Sequence, residues 1–137
     1  MKYEFIKVDE DTTKLKYKEK EFTFKRNVKL VSEMQGIIKK SRVKIIQDLA
    51  KDGISIKSLT IETKKDGKTY YDNSNKAELE KIYQEEAMLD FLDSKSQEIF
   101  KMGIAEVLQD IGLTAEAEGE KFAKDFLSYL SGNIPRS

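Results

Sequence analysis

A chain of 137 residues is long enough for one ordinary core, and this one combines 39% apolar with 36% charged residues. It contains no His, Cys or Trp, which excludes disulfides, thiolate nucleophiles, imidazole bases and His- or Cys-ligated metals. Its 25 basic and 25 acidic residues cancel overall, yet the first 73 residues carry 18 Lys+Arg against 12 Asp+Glu and the remainder 7 against 13.

Tyr3, Phe5 and Val8 open the chain with the pattern of a first strand. After the polar turn Asp9-Glu10-Asp11, Leu15 and Tyr17 alternate with Lys14, Lys16 and Lys18, and Phe22 and Phe24 with Glu21, Thr23 and Lys25. These spacings predict short antiparallel strands with one apolar and one charged face. Asn27 is placed to cap a helix over residues 27–52, with Leu30, Val31, Met34, Ile37, Ile38, Ile45 and Leu49 as its stripe. Gly53 is its stop.

Ile54, Ile56, Leu59 and Ile61 suggest a further strand. Asp66-Gly67 predicts a tight hairpin between Ile61-Glu62-Thr63 and Thr69-Tyr70-Tyr71, since a type I′ turn needs positive φ at both centres. Asn75 and Glu78 have capping-box spacing ahead of a helix reaching about Asp93, with Leu79, Ile82, Tyr83, Leu89 and Leu92 as its stripe. Ser94 with Gln97 either caps a second helix or marks a bend, with Gly112 as the end, and a third helix is expected after Thr114, packed by Phe122, Phe126, Leu127, Tyr129 and Leu130. The expected fold class is α+β: a small antiparallel sheet, a long amphipathic helix and a C-terminal set of about three helices. Residues 1–131 are read as a single domain, with a basic half over 1–73, an acidic half over 74–131, and a loose tail over 132–137.

Carboxylates, Lys and Tyr remain as possible acids, bases or ligands. Glu86 and Asp90 lie one helical turn apart, a spacing that can hold a divalent cation or form a solvated flank. Carboxylate centres in helical bundles usually recruit Glu-x-x-His, and there is no His. Lys64-Lys65-Asp66-Gly67-Lys68 lacks the spacing of a phosphate loop. No catalytic, metal or cofactor site is therefore assigned, and the chain is expected not to be an enzyme.

Two surfaces are candidates for binding. Between Lys14 and Lys44 there are eleven Lys+Arg and three Glu, with Lys39, Lys40 and Lys44 as a basic patch suited to phosphates. Alternation puts the interleaved Tyr17, Phe22 and Phe24 on the face opposite the lysines, which suits a core better than a base-stacking platform. Val43, Met88, Phe91, Phe100 and Ile104 lie off or broaden their helices' stripes and are candidates for a docking or oligomer surface. There is no membrane-length apolar stretch, and Met1-Lys2-Tyr3-Glu4-Phe5 lacks a signal-peptide core, so a cytoplasmic protein is expected.

The early strands bearing Tyr17-Lys18-Glu19-Lys20-Glu21-Phe22-Thr23-Phe24, the helix opened by Asn27-Val28-Lys29-Leu30, the acidic helices and the tail Ser131-Gly132-Asn133-Ile134-Pro135-Arg136-Ser137 carry a resemblance. In size, order and composition the chain resembles the small tail assembly chaperones of long-tailed bacteriophages. The Asp66-Gly67 hairpin has no counterpart in that pattern. The resemblance implies a non-enzymatic protein, without cofactors, that covers apolar helical segments of an extended phage protein in the host cytoplasm, often as a homo-oligomer. The alternative is a small phage or bacterial protein that binds nucleic acid or blocks a nucleic-acid-binding enzyme.

Overall fold

The computed structural model describes residues 2–132; residues 133–137 of the expected tail lie outside the described residues. The fold is α+β. Strands β1 (Glu4–Lys7), β2 (Thr12–Tyr17) and β3 (Lys20–Lys25) precede α1 (Leu30–Lys51). A 3-10 turn (Ile56–Leu59) leads into β4 (Ile61–Lys65) and β5 (Lys68–Asp72), followed by α2 (Ser74–Phe100), α3 (Ile104–Ile111) and α4 (Glu116–Ser131). No helix among the described residues is long and apolar enough to cross a membrane.

The chain forms two compact units: Met1–Ser32 with Asp90–Ser137, and Glu33–Leu89. The division ignores the charge boundary at Asn73. Unit 1 carries 14 Lys+Arg against 15 Asp+Glu, and unit 2 carries 11 against 10. The opposed halves of the sequence are thus mixed within each unit.

Unit 1 holds an antiparallel meander in the order β1-β2-β3. Phe5 pairs with Leu15, and Leu15 with Phe22, so one face of the sheet is apolar through all three strands. Leu15, Tyr17 and Phe24 are buried on that face, together with Phe100 from α2, Val107 and Ile111 from α3, and Phe122, Phe126 and Leu130 from α4. The rings interlock edge to face: Phe24 meets Phe126 at 5.7 Å and Phe22 meets Phe100 at 5.2 Å between centroids. The opposite face is charged, with Glu21 bridging Lys16 at 3.2 Å and Lys14 at 3.5 Å.

Two tyrosines fasten the sheet to the helices. Tyr3 donates to the Asp125 carboxylate at 2.8 Å, and Tyr17 to Asp110 at 2.7 Å. Lys20 also meets Asp110, at 2.6 Å. Between α2 and α3 the Asp93 carboxylate accepts from the Ile104 N–H at 2.9 Å, and the buried Ser96 hydroxyl donates to the Met102 carbonyl. Asp93 thereby satisfies a donor of the first turn of α3 that Gly103, at the cap position, has no side chain to meet.

Unit 2 is built differently. Tyr83 on α2 donates to Asp48 on α1 at 2.8 Å, and the Lys44 ammonium lies 5.9 Å from the Tyr83 ring. Ser41 and Ile45 are its buried residues. Strands β4 and β5 pair with each other in a separate two-stranded sheet. Asp66 and Gly67 have φ of 53° and 75°, the double positive that the turn demands.

Several local expectations are corrected. Ile56 and Leu59 belong to the 3-10 turn rather than to a strand. Helix α2 runs unbroken through Ser94 and ends where Lys101 takes φ 61°, so the helix break lies at residues 101–103. The Asp72 carboxylate, not Asn75, accepts from the first N–H of α2, and Ala115 rather than Thr114 precedes α4. Val31 and Ile38 of the expected α1 stripe are exposed, while Ser41 takes a place on the buried face. On α2 the stripe is turned: Ile82 and Leu89 are exposed, and Met88 and Phe91 are half-buried.

Candidate functional site: the outward surface of unit 2

Exposed apolar surface gathers on unit 2. All ten residues of β4 and β5 are exposed. The register sets Ile61, Thr63 and Tyr70 on one face of this ribbon and Glu62 and Tyr71 on the other. Tyr70 is 52% and Tyr71 66% exposed. Each strand pairs on one side alone, so both outer edges present free backbone donors and acceptors.

The helices of the unit add to this surface. The inner face of α1 is set by Ser41, Ile45 and Asp48. At about 100° per residue, Lys39, Val43, Ile46 and Ala50 project from the opposite side, at spacings of four, three and four. On α2 the inner face follows Leu79, Tyr83 and Ala87, and Glu78, Ile82, Glu85 and Leu89 form the outward line with the same spacing. Val43, Ile46, Ile82 and Leu89 are all exposed.

Between the helices lies a cleft of about 580 Å³, lined by Arg42 and Ile46 of α1, Ile56 of the 3-10 turn, and Asn73, Lys76, Ala77 and Glu80 at the start of α2. A shallower hollow of about 370 Å³ continues from Ala77 and Glu80 along α2 past Gln84 to Met88. Together they make an open groove whose lining mixes the apolar Ile46, Ile56, Ala77 and Met88 with charges of both signs.

The residues singled out from the sequence fall in both units. Val43 is exposed on the outward side of α1, and Met88 lines the hollow along α2. Phe91, in unit 1, is half-buried, with the Lys95 ammonium 5.5 Å from its ring centre. Ile104 is half-buried at the first position of α3. Phe100 is a correction: at 2% exposure it is core, because Phe22, Phe24 and Phe126 enclose it. Lys39, Lys40 and Lys44 are all exposed, but they do not share one direction. Lys39 stands on the outward side of α1, while Lys40 and Lys44 follow a flank about 100° or more away. Tyr17, Phe22 and Phe24 turn into the core of unit 1, so the basic sheet face has none of them to stack on a base.

The titrating groups serve structure. Burial pushes the Tyr3 and Tyr17 hydroxyls well above the ordinary tyrosine value, aided by Asp125 and Asp110 respectively. Tyr83 is raised by its hydrogen bond to Asp48. These shifts hold the three phenols protonated and away from general-base work near neutral pH. Among the described residues, no group of three or more carboxylates is placed to hold a metal ion.

Sequence reasoning missed Ile46, Tyr70 and Tyr71 as surface residues and took Ile82 and Leu89 for the inner stripe. The signal was present as a second 4-3-4 line on each helix, running parallel to the buried one. Comparison with protein-family models, with curated proteins and with solved structures gives no match.

Proposed function

We propose that this chain works by binding another protein, without catalysing a reaction, and that unit 2 supplies the docking surface. One observation carries the reading: the β4–β5 ribbon is exposed along its whole length and displays Ile61, Tyr70 and Tyr71. An isolated two-stranded ribbon is marginal in water, and covering its apolar side chains would contribute about 25 cal/mol for each Å² removed from solvent. Tyrosine is also a favoured interface residue. The ribbon edges suit an extended segment, while the groove from Arg42 to Met88 suits an apolar helix face. Lys64, Lys65 and Lys68 beside the turn, and Glu80 and Glu85 along the groove, would orient the partner by charge.

The resemblance to phage tail assembly chaperones supplies the most specific form of this reading. The partner is then an extended phage protein whose apolar helical segments are covered, in the host cytoplasm, until the tail is built. A photo-crosslinking amino acid placed at Tyr71, at Ile82 and, as a control, at Lys16 on the charged sheet face tests it in the cells that make the protein. Discrete adducts to another protein from positions 71 and 82, and none from 16, are expected. Adducts from none of the three, or equally from all, would overturn the docking role of unit 2.

A further inference from the structure

The two outward lines of unit 2 match in spacing and oppose in charge. On α1 the line Lys39-Val43-Ile46-Ala50 is flanked by Lys40 and Arg42. On α2 the line Glu78-Ile82-Glu85-Leu89 is flanked by Glu86 and by the single cation Lys81. Each places apolar side chains at the three-four spacing that lets one helix seat its knobs in the holes of another. Val43 and Ile46 are 52% and 50% exposed, and Ile82 and Leu89 46% and 58%. The side chains of Lys39, Arg42, Glu78 and Glu85 form no ion pair among the described residues.

Resting on the reading that these outward side chains are a docking surface, we infer that one occupant is a second copy of this chain, with the basic line of α1 packing on the acidic line of α2 in the next copy. Charge complementarity decides the pairing: α1 on α1 sets Lys39 and Arg42 against their own kind, and α2 on α2 sets Glu78 and Glu85 likewise. Both like pairings are disfavoured. Tyr83 and Asp48 set the inner faces of α2 and α1, and the two lines lie on other sides of their helices, with Ile46 at the lip of the cleft. Each copy therefore offers two unlike surfaces. Contacts of that kind are heterologous, and repeat from copy to copy instead of closing a two-fold dimer.

Charge reversal tests this directly. The variant K39E/R42E makes the α1 line acidic, and E78K/E85K makes the α2 line basic; all four positions are exposed, so circular dichroism should match the wild-type chain. In sedimentation velocity over a concentration series, the wild-type chain is expected to sediment faster as concentration rises. Each variant alone should lose that dependence, and an equimolar mixture of the two should regain it. A small amount of K39E/R42E added to wild-type protein should shorten the assemblies, because its intact α2 line joins one end and its reversed α1 line admits no further copy. A wild-type chain that stays monomeric throughout, variants that associate as it does, or a mixture that stays monomeric would each overturn the inference. A monomer that still crosslinks a foreign protein through positions 71 and 82 would overturn self-association alone and leave the docking role standing.

Discussion

Replacing Gly103 by Ala should unsettle the start of α3 through a single carboxylate. A Cβ at this position would lie 2.6 Å from Asp93 Oδ1, too close for that oxygen to stay, and at an ordinary contact distance of 3.6 Å from its Cγ. The backbone is not the obstacle, since Gly103 has φ −66° and ψ 161°, which alanine adopts freely. Relief comes when Asp93 swings away and gives up its 2.9 Å bond from the Ile104 N–H. Losing a capping carboxylate costs about 1 kcal/mol, within a range of roughly 0.5–2. Asp93→Ala should cost the same amount by deleting the acceptor outright. In the D93A background the clash is gone, and Gly103→Ala should then be neutral or stabilising by about 0.4–1 kcal/mol through the narrower unfolded ensemble. The double-mutant cycle should therefore show a coupling of about 1–2 kcal/mol. Thermal denaturation of the four proteins reads it as G103A and D93A each melting about 3–5 °C low, with the double variant no lower than D93A. Equal losses from G103A in both backgrounds would refute the capping role of Asp93.

Other outcomes follow from the same geometry. The folded pKa of Tyr3 and Tyr17 lies above the unfolded value near 10, so the stability they contribute is whole below that pH and is lost as pH rises beyond it. Denaturation between pH 8 and 12 should show a fall that the Y3F/Y17F variant flattens; an unchanged slope would refute it. Asp110 is shifted the other way, chiefly by Lys20 and then by Tyr17, so its contribution is present above the ordinary carboxylate range and lost as pH falls through its folded value. D110N should make acid unfolding less steep. Lys101 holds φ 61° at the end of α2, a conformation that costs an L residue about 1–2 kcal/mol. Lys101→Gly should raise the melting temperature, and a fall would count against the strain. Phe126, fully buried, should cost about 3–5 kcal/mol on replacement by Ala, whereas Val43→Ala, at an exposed site, should stay within about 0.5 kcal/mol in chemical denaturation.

The meander was legible because Leu15, Tyr17, Phe22 and Phe24 alternate strictly with polar residues, and a period of two leaves one choice of face. Asp66-Gly67 was legible for a local reason: few other pairs accept two positive φ values in succession. The long helices were found, but not their orientation. Each carries apolar residues on more than one side, and periodicity alone does not say which side meets a neighbour; Tyr83 and Asp48 settle it through a hydrogen bond between residues 35 apart. The cap of α3 was hidden because its acceptor, Asp93, comes from another helix. Of the proposed docking surface, the sequence had singled out Val43 and Met88. Ile82 and Leu89 were assigned inward because they share spacing with Leu79 and Leu92, and only burial separates the two lines.

The interruption of unit 1 by residues 33–89 has a consequence for synthesis. Strands β1 to β3 leave the ribosome early, but the rings that cover their apolar face, Phe100, Phe122 and Phe126, are translated about 75 to 100 residues after β3. At about 5–20 residues per second that is a wait of roughly 5–20 s. Through that interval the nascent sheet has its charged outer face, with Lys14 and Lys16, as its own guard against sticking to neighbouring polypeptides.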